Sequence, residues 1–264
     1  MTRIWIGAIA LVAAGCSNAP SRERCGAQQS RLIVCTEVPE TRGIDVSSYQ
    51  GEVDWARVKR GGIAFAFARI SDGSGELDNE FAHHWRAMKR AGVVRGAYQF
   101  FRAGQDAVAQ ANLAAELLAL AGGMEPSDLG VAIDIETTDG KASEEVSAAV
   151  ARWLESAERL TGRTPIIYTN AAMSGVLVAR FAKYPLWVAN WDTGCPTVPS
   201  GWSKWRYWQT SNSGRVDGIA TPVDLDVLDG NLPADFEGNA FAGVDAGSAA
   251  GDASLIAGEC EPDP

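Results

Sequence analysis

The chain has 264 residues, 46% hydrophobic and 21% charged, with a formal net charge of −10. That length admits one large α/β barrel or two smaller domains, and the composition is that of a soluble globular protein. The acidic balance and the lack of any Lys/Arg-rich run argue against nucleic-acid binding and leave no basic patch for gripping a polyanion.

The N-terminus reads as an export signal. Arg3 supplies a positive start, and residues 4–14 form an apolar run too short to span a membrane as a mature helix. The run ends Ala13-Ala14-Gly15-Cys16, which is similar to a bacterial lipobox, with Ala13 where leucine is usual. This predicts a signal peptide over residues 1–15 and lipidation of Cys16. The chain would then be an exported bacterial lipoprotein, anchored to a membrane in the periplasm or at the cell surface. Each buried acyl methylene contributes about 0.8 kcal/mol to such anchoring. The plainer alternative is a secreted protein with an incidental cysteine. Cys25, Cys35, Cys195 and Cys260 remain, an even number in an exported chain, and predict two disulfides. The expected pairs are Cys25 with Cys35 and Cys195 with Cys260. Zinc is the poorer reading because paired CxxC spacing is missing.

Residues 16–42 are polar and read as a tether with a small cysteine-closed loop. From Gly43 the pattern becomes regular. Strands are predicted at 43–47, 63–70, 93–101, 131–136 and 165–169, and helices at 55–59, 80–91, 106–120 and 172–182. A further helix follows 131–136, capped by Ser143, with Val146, Val150, Trp153, Leu154 and Ala157 at helical spacing. Then helices stop, and 186–191, 205–210 and 223–225 read as strands. Five β/α units followed by three β-strands predict a TIM-like α/β barrel over residues 43–231. Residues 232–264, rich in Gly, Ala, Asp and Ser, read as a flexible tail.

Catalytic residues of such barrels sit at the C-terminal ends of strands. Asp45, Glu136 and Asp224 are all placed at or near such ends. Val131-Ala132-Ile133-Asp134-Ile135-Glu136 is the most informative stretch. Alternate residues of a strand share a face, so Asp134 and Glu136 point the same way, with Cα atoms about 6.6 Å apart. Two acids on one face at the end of a buried strand suit acid-catalysed glycoside cleavage.

Eight segments, in order, carry a resemblance to a known family. They are Gly43-Ile44-Asp45-Val46-Ser47-Ser48-Tyr49-Gln50-Gly51, Ala68-Arg69-Ile70-Ser71-Asp72-Gly73, Gly96-Ala97-Tyr98, Asp134-Ile135-Glu136, Ile167-Tyr168-Thr169, Leu186-Trp187-Val188-Ala189, Trp208-Gln209 and Val223-Asp224-Leu225-Asp226. This pattern resembles glycoside hydrolase family 25, the Chalaropsis-type lysozymes or N-acetylmuramidases, whose barrel has the same five units and three strands. The resemblance implies hydrolysis of the β-1,4 bond between N-acetylmuramic acid and N-acetylglucosamine in peptidoglycan. It makes Glu136 the general acid and Asp134 the group that stabilises the substrate acetamido, with Asp45 and Asp224 completing the acidic pocket. The charge of Asp134 would help raise the pKa of Glu136. Arg69, Tyr98, Tyr168, Trp187, Trp208 and Gln209 are the expected substrate contacts, since sugar C–H faces pack on aromatic rings.

The chain departs from the family pattern at Arg69, where lysine is frequent, at Gln99, where histidine is common, and at Asn190-Trp191, a frequent His-Tyr pair. His83 and His84 fall on a predicted helix and read as surface residues. Trp55, Trp85 and Trp153 read as packing. No cofactor or metal is expected, because no histidine is placed to join the acids. The expected partners are the peptidoglycan glycan strand and, through Cys16, a membrane; the protein is expected to be a monomer. Two other functions fit the same features: a non-catalytic glycan-binding lipoprotein, and a glycosidase acting on chitin-like polymers.

Overall fold

The structure is a computed structural model that describes residues 32–35, 40–173, 175–177, 179–230 and 232. Eight strands close on themselves: β1 (Glu40–Val46), β2 (Phe65–Asp72), β3 (Val94–Phe100), β4 (Val131–Ile135), β5 (Ile166–Asn170), β6 (Leu186–Ala189), β7 (Tyr207–Gly214) and β8 (Val223–Asp229). Neighbours from β1 to β7 pair in parallel, while β8 runs antiparallel to both β7 and β1 and shuts the barrel. The predicted α/β barrel is therefore the observed fold. Its first strand starts three residues earlier than Gly43.

Side-chain alternation sorts the strands into two apolar layers. Phe65, Phe67, Ala132, Ile166, Tyr168, Trp187, Tyr207 and Leu228 fill the barrel interior. Ile44, Ala66, Ala68, Ile133, Ile135, Ile167 and Val188 face outward into a second layer under the helices. Large rings inside require missing side chains opposite. A Cβ on Gly43 would lie 2.2 Å from the ring of Phe65, and one on Gly96 would lie 2.3 Å from that of Phe67. Phe67 in turn stacks on Trp187, ring centres 4.3 Å apart.

Four helices cover the outer layer: α1 (Trp55–Arg60), α2 (Phe81–Ala91), α3 (Ala107–Leu120) and α4 (Ser143–Thr161). Asp54 and Asp106 cap α1 and α3 by accepting from the amides of Arg57 and Ala109. Ser143 is the first residue of α4 rather than its cap; the Glu145 carboxylate reaches back to the Ala142 amide instead. Val146, Val150, Trp153, Leu154 and Ala157 are all buried, as are Trp55 and Trp85.

Three further expectations are corrected. The helix expected over 172–182 is replaced, among the described residues, by two 3-10 turns, Ala171–Met173 and Ala179–Phe181. Gly175 lies between them, and a mid-helix glycine costs about 1 kcal/mol. His83 is exposed, but His84 is fully buried on the apolar face of α2 and accepts from Trp55 Nε1 at 3.4 Å. Burial lowers its pKa.

The third correction concerns the cysteines. Cys35 is bonded to Cys195, which excludes both expected pairs. Proximity in sequence was a poor guide, because the barrel brings the segment before β1 beside the loop after β6. Leu32–Ile33 pairs there with Thr197–Val198, and the carbonyl of Val34 accepts from Trp205 Nε1. This part of the expected tether is thus bound to the barrel wall. A cross-link 160 residues apart in sequence stabilises a fold by about 2–4 kcal/mol. Cys16, Cys25 and Cys260 lie outside the described residues, as does the expected tail beyond Leu232.

Candidate active site

Inward positions toward the mouth of the barrel supply the site, one from each strand. Asp45, Arg69, Tyr98, Asp134, Tyr168, Trp187, Gln209 and Asp224 come from β1 to β8 in turn, and Glu136 follows β4. Together with Ser47, Tyr49, Gln50 and Pro222 they line a cleft of about 280 Å³. Asp224 reaches this end for a reason other than the expected one. It sits at the start of β8, and only the reversal of that strand places its beginning among the C-terminal ends of the others.

Asp134 is 4% exposed, and its Oδ1 has no hydrogen-bond partner. Glu136 is solvent-accessible at the rim. Burial raises the pKa of Asp134 well above the usual range, and the neighbouring Glu136 charge adds to this. Burial also raises Glu136, while contacts with Tyr168 and Asp134 pull it back. The expected direction of influence is thereby corrected: Asp134, the deeper acid, is the one lifted by its neighbour. Of the two acids, Asp134 is the one raised further.

A second acidic group lies across the barrel. Gln209 Nε2 donates to Asp45 at 2.8 Å and to Asp224 at 3.2 Å, while its Oε1 accepts from Tyr168 and Trp191. Gln209 therefore fixes two acids and two aromatic rings at once. Burial pushes Asp224 up to about 6, with the Glu136 charge contributing. Burial raises Asp45 well above the ordinary value, with the charges of Asp226 and Asp224 behind it.

Asp226 was not among the expected site residues. It is 2% exposed and accepts from Trp187 Nε1 at 2.9 Å. The spacing from Asp224 shows it in retrospect, since two positions along a strand return to the same face. Asp78 was missed for want of any such signal. It accepts from Arg69 Nε and the Ser48 amide, tying the arginine to the turn that carries Tyr49. The Arg69 guanidinium lies 5.1 Å from the centre of the Tyr49 ring, which is 76% exposed at the mouth.

Among the aromatic residues, Tyr98, Tyr168 and Trp187 face the cleft, and both tyrosines pack edge-on to Trp187. Trp208 does not face it. It points outward on β7, packs on Trp205 and donates to the Asn190 carbonyl, because Tyr207 and Gln209 occupy the inward positions. Gln99 likewise faces away, held between Ser71 and Trp153. Asn190 braces the loop through the Thr197 amide, and Trp191 bonds Gln209 at the rim. Among the described residues no cluster of His, Cys, Asp or Glu is arranged to hold a metal ion.

An α/β barrel with paired acids at its open end, aromatic walls and polar groups between them defines a glycoside hydrolase. The comparisons agree. The profile of glycosyl hydrolases family 25 matches residues 44–219, and the chain belongs to that family. It is 35% identical to the uncharacterized protein YegX of Escherichia coli over 196 residues, covering 72% of this chain and 70% of that one. It is 33% identical to lysozyme M1 of Streptomyces globisporus over 214 residues, covering 76% and 72%. The crystal structure of a lysozyme from Streptomyces coelicolor superposes with a TM-score of 0.67 at 31% identity, covering 73% of this chain and 94% of that one.

Proposed function

We propose that the protein is an N-acetylmuramidase that hydrolyses the β-1,4 bond between N-acetylmuramic acid and N-acetylglucosamine in peptidoglycan. The observation that carries this reading is Asp134: a buried carboxyl with an unpartnered oxygen, facing the cleft from β4 two residues before Glu136. Relatives named lysozyme and N,O-diacetylmuramidase support it.

An acetamido N–H arriving at the free oxygen of Asp134 stabilises its ionised form. The proton it shares with Glu136 then moves to Glu136, which becomes the general acid for the leaving oxygen. The acetamido oxygen attacks its own anomeric carbon, and Asp134 stabilises the positive ring that forms. Water opens that ring with Glu136 as base, so configuration is retained. Asp45 and Asp224, fixed by Gln209, bind sugar hydroxyls or the entering water, and Arg69, Tyr98, Tyr168 and Trp187 shape the subsites.

The test is product analysis. Fragments should end in reducing muramic acid, and proton NMR on a soluble glycan should show the β-anomer first. Reducing glucosamine would reject the bond assignment, and an initial α-anomer would reject retention.

The Ala13-Ala14-Gly15-Cys16 junction supports a further part of the proposal. The protein is a monomeric lipoprotein that works at a membrane surface, anchored through Cys16. Cys16→Ser is expected to shift it from the membrane fraction to the soluble fraction or to block processing. Unchanged fractionation and migration would reject the anchor.

A further inference from the structure

Asp226 is a buried acid that the proposed reaction leaves unused. Its Oδ1 accepts from Trp187 Nε1, and its Oδ2 receives no hydrogen bond. It lies within hydrogen-bond reach of Asp45, as the more exposed Asp224 does from the mouth side. The groups facing it come from every neighbouring strand: Asp45 on β1, Tyr168 on β5, Trp187 on β6, Gln209 on β7 and Asp224 on its own strand. None of these is a cation. Gln209 spends both of its amide hydrogen bonds on Asp45 and Asp224, so it gives Asp226 nothing.

Two carboxyl oxygens in contact, both buried, with no cation and no donor between them, cannot both stay ionised. We propose that Asp226 is a positioning residue for Asp45: the two carboxyls hold one proton between them, and this bond fixes Asp45 beneath the substrate. Trp187 holds the far oxygen of Asp226, and Gln209 holds Asp45 from the other side. Asp45 is thereby constrained from two directions without a cation at either contact. The burial that raises Asp226 agrees with this arrangement. The pair titrates as a unit rather than as two separate acids, with Asp224, Asp134 and Tyr98 the other titratable groups that face Asp45.

The main test is stability against pH, which stands whether or not the bond assignment above holds. In the unfolded chain both aspartates ionise near about 3.9. A folded pair that keeps a proton above that value binds more protons than the unfolded chain, so it loses stability as pH rises. Asparagine at 226 keeps the shape and does not titrate. The melting temperature of Asp226→Asn minus that of wild type should therefore increase from about pH 4 to about pH 8. A difference independent of pH, of either sign, would overturn the proposal.

Should the variant fail to fold, carbon-13 titration of the aspartate carboxyls in the wild-type protein decides. One proton should persist on the Asp45–Asp226 pair above the ordinary aspartate value of about 3.9, and full ionisation of both at or below that value would overturn it. An activity arm rests on the muramidase reading. At acid pH, Asp226→Asn should exceed Asp226→Ala by about tenfold in kcat/KM, because the amide still donates to Asp45. Equal losses in the two variants would mean that Asp226 only fills space.

Discussion

Glu136→Gln is expected to lower turnover by at least about 10²-fold, the lower end for loss of a general acid. The substitution keeps the length and shape of the side chain and removes its transferable proton. Folding should be unaffected, because Glu136 is solvent-accessible at the rim and follows β4 rather than packing within it. The leaving group supplies a control. An aryl glycoside with an acidic phenol departs with little protonation, so the deficit on that substrate should be much smaller than on peptidoglycan. An equal deficit on both substrates would remove Glu136 from the acid role, as would near-normal turnover in a folded variant.

Alternation in a strand is local, and so the inward row of the barrel could be read from sequence. Phe65, Phe67 and Arg69 on β2, and Ala132, Asp134 and Glu136 from β4 onward, follow from period two alone. The same rule reaches Asp226 from Asp224 and would have found it. It also separates Trp208 from Gln209, so the expectation that both contact substrate conflicted with the pattern itself. His84 was legible too: Phe81, His84, Trp85 and Met88 make one helical stripe, and all are buried. Other features depend on pairing between distant segments. The reversed direction of β8 is set by its partners β7 and β1, and the Cys35–Cys195 bond by the barrel's closure. Neither leaves a mark in local sequence. The proton balance of Asp134 and Glu136 depends on relative depth, and only the three-dimensional arrangement provides that.

Asp134→Asn should lower kcat by about 10²–10³-fold, the loss that follows removal of one preorganised group facing developing charge. The effect should fall mainly on kcat, because the negative charge acts on the positive ring formed during reaction and much less on the neutral ground state. Stability should move the other way. Burial raises Asp134 in the folded protein, so the folded state holds a proton that the unfolded chain releases above about 3.9. The stability linked to that proton is complete below the unfolded value and is lost as pH rises toward the folded one. A neutral asparagine avoids this loss, and Asp134→Asn should melt higher than wild type at pH 7 and with little difference at pH 4. Opposite changes in activity and stability identify a group held in an unfavourable state for the sake of the reaction. Parallel losses of both would show that Asp134 serves packing, and full activity would show that the acetamido group is stabilised elsewhere in the cleft.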